Sequence, residues 1–245
     1  MGSGSQRLLV DTGQGSPAWL DALTSTLKEE SCTVSSALLT HWHPDHVGGV
    51  SDLRTLCPDA VVHKNAPGDA QLPITNGDVF RVEGATLRAV HTPGHTTDHV
   101  MFVLEEENGA LFTGDAVLGH GTAVFEDLGV YLECLERLKV KECRGESQRG
   151  YPGHGDAIEN VGERVEGYLK HRKMREGEVI AVLRKEAEKG ATPKEVVDVV
   201  YKDVPQNLHL PAEGGVRQIL RKLEREGKVF VGEEERWKIS DKAAL

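Results

Sequence analysis

Apolar positions along this chain recur with two periods, and the period changes at turn-forming residues. The run "RLLVDTG" (7–13) ends in Asp-Thr-Gly and predicts a strand followed by a turn. In "SPAWLDALTSTLKEE" (16–30), Trp19, Leu20, Leu23 and Leu27 fall at helical spacing, behind Ser16 as N-cap and Pro17 as first helical residue. Residues 37–40 predict a strand that runs into a dense group of histidines, and "VGGVSDLRTLC" predicts a helix leaving it. "AVVHK" reads as a strand. "DVFRVEGATLRAVHTPGH" alternates like two antiparallel strands around Glu83-Gly84. "HVMFVLEEENGALFTGDAV" predicts a hairpin with Asn108-Gly109 as its turn. "VFEDLGVYLECLERLKV" is amphipathic and helical, and "GYPGHGD" is a strand end and loop. The class is α/β, with chemistry in the loops at strand ends.

The pattern shifts near Gly162, where a long, charged, helix-forming stretch begins. Thr192, Pro193 and Glu195 then fit a capping box. Val216, Ile219, Leu220 and Leu223 form one helical stripe, which Gly227 stops. "KVFV", a "GEEE" turn and "RWKIS" suggest a hairpin. Helices followed by a two-stranded wing predict a small winged-helix-like domain over 166–245, behind a first domain over 1–165. There is no internal repeat.

The 245 residues suffice for one or two domains and a sizeable core. An apolar fraction of 38% and a mean hydropathy of −0.37 fit an ordinary soluble protein. No apolar run approaches the roughly 18 residues that span a bilayer, and the start lacks a signal pattern. Cytoplasmic residence is the expectation. The net charge of −10 opposes non-specific nucleic-acid binding. Cys32, Cys57, Cys134 and Cys143 are scattered and predict free thiols.

Four motifs carry candidate chemistry. "HWHPDH" packs His41, His43, Asp45 and His46 into six residues. Histidine is the commonest protein ligand for transition metals, and aspartate is a hard oxygen donor. Alternation at a strand end sends His41 and His43 to one side. The turn at Pro44 swings Asp45 and His46 toward the same pocket. Unpaired groups this close repel or need partners. The other motifs are "HTPGHTTDH" with His91, His95, Asp98 and His99, "FTGDAVLGHG" with Asp115 and His120, and "GYPGHGD" with His154. His63, His171 and His209 read as surface or hydrogen-bonded residues, and His91 as a strand residue. His99 and His120 stay open as supporting residues. Asp11 is either a turn-former or a support beneath the metal.

In this order, "HWHPDH", "HTPGHT", "TGD" and "PGHG" resemble the metallo-beta-lactamase superfamily over about residues 5–165. "VEGATLRAVHTPGHTTDH", "VLGHGTAVFEDL", "HRKMRE" and the winged tail resemble the beta-lactamase-like protein 2 family along almost the whole chain. They look closest to its fungal members, lactamase-type acyl-carrier-protein thioesterases of aromatic polyketide pathways. The resemblance implies an αββα sandwich and a site with two Zn2+. By motif, one zinc takes His41, His43 and His95, the other takes Asp45, His46 and His154, and Asp115 matches the bridging carboxylate. His91 matches no ligand. Family members carry a longer segment before the "DTG" strand. The ten residues here predict shortened N-terminal strands, an exposed sheet edge and an incomplete pocket wall.

Two such zinc ions would activate a hydroxide between them. For a thioester the attack is on the carbonyl carbon, with Asp45 as ligand and proton acceptor. The expected function is release of a polyketide acid from an acyl carrier protein, in secondary metabolism. Carrier proteins are themselves acidic. "RQILRKLEREGK" (217–228), with five basic and two acidic residues, could form the facing patch or be a solvated helix face. The alternative is a single-strand endoribonuclease, with His99 or His120 as proton donor; glutathione-type thioester hydrolysis is weaker. A further reading is a truncated, inactive zinc-binding protein. The oligomeric state is not legible.

Overall fold

The computed structural model describes residues 1–143 and 148–240. It divides into two compact units, Met1–Glu166 and Gly167–Leu245. The first contains, in order, β1 (Gln6–Val10), α1 (Pro17–Glu29), β2 (Thr33–Leu39), α2 (Pro44–Val47), α3 (Val50–Leu56), β3 (Val61–Lys64), β4 (Leu72–Pro73), β5 (Val79–Val82), β6 (Ala85–His91), β7 (Val100–Leu104), β8 (Ala110–Gly114), α4 (Leu128–Lys141) and β9 (Gly150–Pro152). Helix α5 (Val161–Lys185) runs through the boundary.

Two sheets form. One has the order β1-β2-β3-β4 and is parallel throughout. The other has the order β5-β6-β7-β8-β9, antiparallel except for the β8–β9 pair. Side-chain alternation assigns their faces. On β2, Leu38 joins Leu8, Leu87, Val100 and Phe102 in one core cluster. Its neighbours Ala37 and Leu39 point the other way and join Leu27 of α1, Leu53 of α3 and Val62. One face thus packs sheet on sheet and the other takes helices. Strand β7 behaves alike: Val100, Phe102 and Leu104 face the other sheet, while Met101 and Val103 are buried on the opposite face. Burial on both faces explains why "VMFVL" is apolar without alternation. The architecture is the expected αββα sandwich.

Local signals act where expected. Ser16 Oγ accepts from Trp19 N at 3.3 Å and starts α1 ahead of Pro17. Asp127 accepts from Val130 N at 3.0 Å and starts α4, so the helix begins later than its periodicity predicts. The strand expected at 37–40 runs from Thr33 to Leu39, and the helix expected from Val47 divides into α2 and α3 at Gly48-Gly49. The edge of β1 is not bare. Leu8 N donates to Met1 O at 3.0 Å, and the Met1 amine donates to Leu8 O at 2.7 Å, which closes that edge at Leu8.

The second unit holds α6 (Pro193–Val200), α7 (His209–Arg225), β10 (Val229–Val231) and β11 (Trp237–Ile239). The capping box is complete: Glu195 N donates to Thr192 Oγ1 at 3.2 Å, and Thr192 N to Glu195 Oε2 at 2.9 Å. Val216, Ile219, Leu220 and Leu223 are the buried stripe of α7. Strands β10 and β11 pair antiparallel as the wing. Among the described residues, no helix is long and apolar enough to cross a membrane.

Candidate metal centre

Strand ends deliver every candidate ligand. His41 and His43 follow β2, and His43 is the N-cap of α2, which carries Asp45 and His46. His95 lies between β6 and β7, Asp115 follows β8, and His154 follows β9. Two groups result. His41, His43, His95 and Asp115 offer one ligand atom each within 4.8 Å of one another, and so do Asp45, His46 and His154. All seven side chains singled out from the sequence thus come together.

The hydrogen-bond partners assign where the ring protons sit. His95 Nδ1 faces the Val124 carbonyl at 2.8 Å and must donate to it, leaving a lone pair on Nε2. Thr40 Oγ1 donates to Asp11 Oδ2 at 2.9 Å, so it accepts from His41 Nδ1, also at 2.9 Å. His41 Nε2 therefore also carries a lone pair. These two nitrogens lie 3.2 Å apart, with His43 Nδ1 2.9 Å from one and 3.1 Å from the other. The two lone pairs repel at such a distance unless a proton on His43 Nδ1 or a cation lies among them. In the second group, His46 Nε2 and Asp115 Oδ1 are 3.4 Å apart, and both are buried without a hydrogen-bond partner. Two such atoms need a proton or a cation between them. Imidazole nitrogens with carboxylate oxygens are a donor set that zinc accepts, so the residues fit a two-metal site.

Asp115 stands between the groups. Its Oδ2 is 3.7 Å from His95 Nε2 and 3.4 Å from His154 Nε2, while Oδ1 faces His46. Asp45 Oδ2 is 3.0 Å from His154 Nε2. Room is tight: a Cβ on Gly153 would fall 2.4 Å from Asp115 Oδ1 and 2.7 Å from His46 Cε1. Glycine beside His154 therefore permits the approach of that loop.

Electrostatics divide the histidines. Burial, with the neighbouring imidazoles, pushes His41 far down, and burial also lowers His95. Both are neutral, ready donors at pH 7. Burial opposes charge on His46 too, but the carboxylates of Asp11 and Asp115 outweigh it and raise the ring to about 10. Burial likewise opposes charge on Asp115, and His46, His154 and His95 outweigh it, holding the carboxyl below its ordinary value.

The open sequence positions resolve. Asp11 adopts φ 57°, a left-handed conformation that Asp tolerates. Its carboxylate accepts from Thr40 N at 2.7 Å and from His46 Nδ1 at 2.7 Å, so it supports the site from beneath. His99 is fully buried, which drives its pKa well below the ordinary value. His120 is exposed beside the His154 loop, where Gly119 N donates to His154 O at 2.9 Å. His91 Nε2 faces Thr97 O at 3.0 Å, away from the ligands. Sequence reasoning missed Thr40 and the Val124 carbonyl; a hydroxyl next to His41 was the one available signal.

In the second unit three of the five basic side chains in 217–228 are paired with glutamates. Arg217 binds Glu213 and Glu235, and Lys222 and Lys228 each bind Glu176 and Glu226. The wing tip adds Glu233, Glu234 and Glu235.

Comparison with known proteins agrees with the fold. Residues 1–166 match the family described as Metallo-beta-lactamase superfamily, and residues 192–237 match the Beta-lactamase associated winged helix domain. The chain is 47% identical over 232 residues to an atrochrysone carboxyl ACP thioesterase of Emericella nidulans, covering 94% of this chain and 74% of that protein. It is 46% identical over 238 residues to an atrochrysone carboxyl ACP thioesterase of Paecilomyces divaricatus, with the same coverage. A metallo-beta-lactamase family protein from Thermus thermophilus superposes with a TM-score of 0.74 at 26% identity, over 98% of this chain and 92% of that one.

Proposed function

Because this chain belongs to the metallo-beta-lactamase superfamily and is a metal-dependent hydrolase, we propose that it releases a polyketide acid from an acyl-carrier-protein thioester. The observation that carries this reading is the similarity, over 94% of the chain, to proteins named as ACP thioesterases. The chemistry belongs to residues 1–165, and 166–245 form the winged-helix domain.

His41, His43 and His95 would hold one zinc ion and Asp45, His46 and His154 the other, with Asp115 shared. Two bound zinc ions supply Lewis acidity and a water acidified to near neutral pH. The chain's own residues do the rest. Asp11 and Thr40 fix the tautomers of His46 and His41. Asp45, half-exposed at the mouth, accepts the proton lost by the attacking water. Water adds across the thioester carbonyl, the C–S bond breaks, and a carboxylic acid and a thiol leave. A thiolate departs without a proton donor, so the buried His99 has no acid to supply. A ribonuclease reading draws no support from the glutamate-paired helix or the acidic wing tip, because RNA binding rests on phosphate neutralisation.

The test offers zinc-loaded protein an aromatic polyketide thioester on its carrier protein, and in parallel an unstructured RNA. Acid release without RNA cleavage, abolished in His43→Ala, is expected. RNA cleavage without acid release would reverse the assignment.

A further inference from the structure

His99 lies wholly inside the protein, outside both ligand groups, with both ring nitrogens hydrogen-bonded. The Asp115 amide points at His99 Nε2, 3.1 Å away. An amide only donates, so Nε2 must carry a lone pair and the ring proton must sit on Nδ1. Thr92 Oγ1 lies 2.7 Å from Nδ1 and accepts that proton. The threonine is itself locked to the same residue, since Thr92 N donates to His99 O at 2.8 Å. The ring therefore has one tautomer and one orientation. It lies under the ligand histidines, its centroid 5.2 Å from that of His41 and 5.7 Å from that of His95.

The backbone that leads to Asp115 is pressed onto this ring. Gly114 has φ 47°, and a Cβ there would stand 2.6 Å from His99 Nε2 and 3.1 Å from Thr40 Cβ. The turn out of β8 thus needs a glycine, and it is aimed by an acceptor beneath the following amide. The Asp115 carboxylate needs such aiming, because its buried Oδ1 has no close hydrogen bond and only His46 Nε2, 3.4 Å away, faces it. We infer that His99 is a positioning residue for Asp115: its Nε2 holds the amide from which that carboxylate hangs between the two ligand groups. This rests on the metal-site reading above.

The test is a titration of metal-free protein with cobalt(II), following stoichiometry, affinity and the visible spectrum. His99→Asn keeps a donor near Thr92 but no acceptor at the Nε2 position. His99→Gln places an amide oxygen close to that position. Loss of a residue that orients a ligand lowers metal affinity by about 10–100-fold. His99→Asn should show that loss with an altered spectrum, while His99→Gln recovers most of it, with both metal-free variants melting alike. If His99→Asn does not fold, Thr92→Val, which frees the ring without changing its size, should show a smaller loss of the same kind. Parental protein that takes up no metal would remove the site reading and this inference together. Parental protein that takes two ions, with His99→Asn or Thr92→Val matching it, would overturn the inference alone. Equal losses in His99→Asn and His99→Gln, with equally lowered melting, would reduce His99 to a packing residue.

Discussion

Asp11 Oδ2 stands 2.7 Å from His46 Nδ1, and this contact turns the other ring nitrogen of His46 toward Asp115. The two residues are 35 positions apart in sequence, and the carboxylate also accepts from Thr40 N and Thr40 Oγ1. One side chain thus orients His46 directly and His41 through Thr40. Asp11→Asn keeps a residue suited to φ 57° but removes the charge. It should weaken metal binding by about 10–100-fold while leaving the fold intact. Competition against a chromophoric chelator measures this.

Metal loading should release protons. In the metal-free protein His46 is raised to about 10 and holds its proton at pH 7. Its stabilising contribution is fully present below the unfolded value of about 6.5 and is lost as pH rises through about 10. A cation must displace that proton, whereas His41 and His95, both lowered, have none to give at pH 7. Calorimetry at pH 7 in buffers of different ionisation enthalpy should report at least about one proton released per chain. Heats independent of buffer would contradict this charge assignment.

The inter-sheet core is keyed by Phe102, which is fully buried among Leu8, Leu38 and Leu87. Phe102→Ala leaves a cavity that strands on both sides cannot fill. It should cost about 3–5 kcal/mol, read as a lower denaturant midpoint.

Thr192 and Glu195 satisfy each other's backbone amides at the start of α6. Thr192→Ala removes one of these bonds and should cost about 0.5–2 kcal/mol. With two compact units, a global transition does not isolate the change at this one helix. Hydrogen exchange of the α6 amides is the direct measure, and faster exchange confined to that helix is expected.

Local signals made much of this legible in sequence. The ligand motifs crowd histidine and aspartate into a few residues at strand ends, so "HWHPDH" announces its chemistry without a partner. Ser16, Thr192 and Glu195 act within one helical turn, and the alternation on β6 and the stripe on α7 follow one element's own period. What stayed hidden depends on distant partners. Lys222 and Lys228 read as basic surface because Glu176, 46 residues before Lys222, folds back to neutralise them. The two-residue strand β4 is too short to show a period. Asp11 read equally well as a turn-former until His46 and Thr40 arrived beside it.

Seven side chains from four strand ends form two groups that could each hold a metal ion. Elemental analysis of folded protein, reconstituted with zinc and freed of excess by gel filtration, tests this most directly. Two zinc ions per chain are expected, falling in Asp115→Ala. Well-folded protein that retains no stoichiometric metal would contradict this.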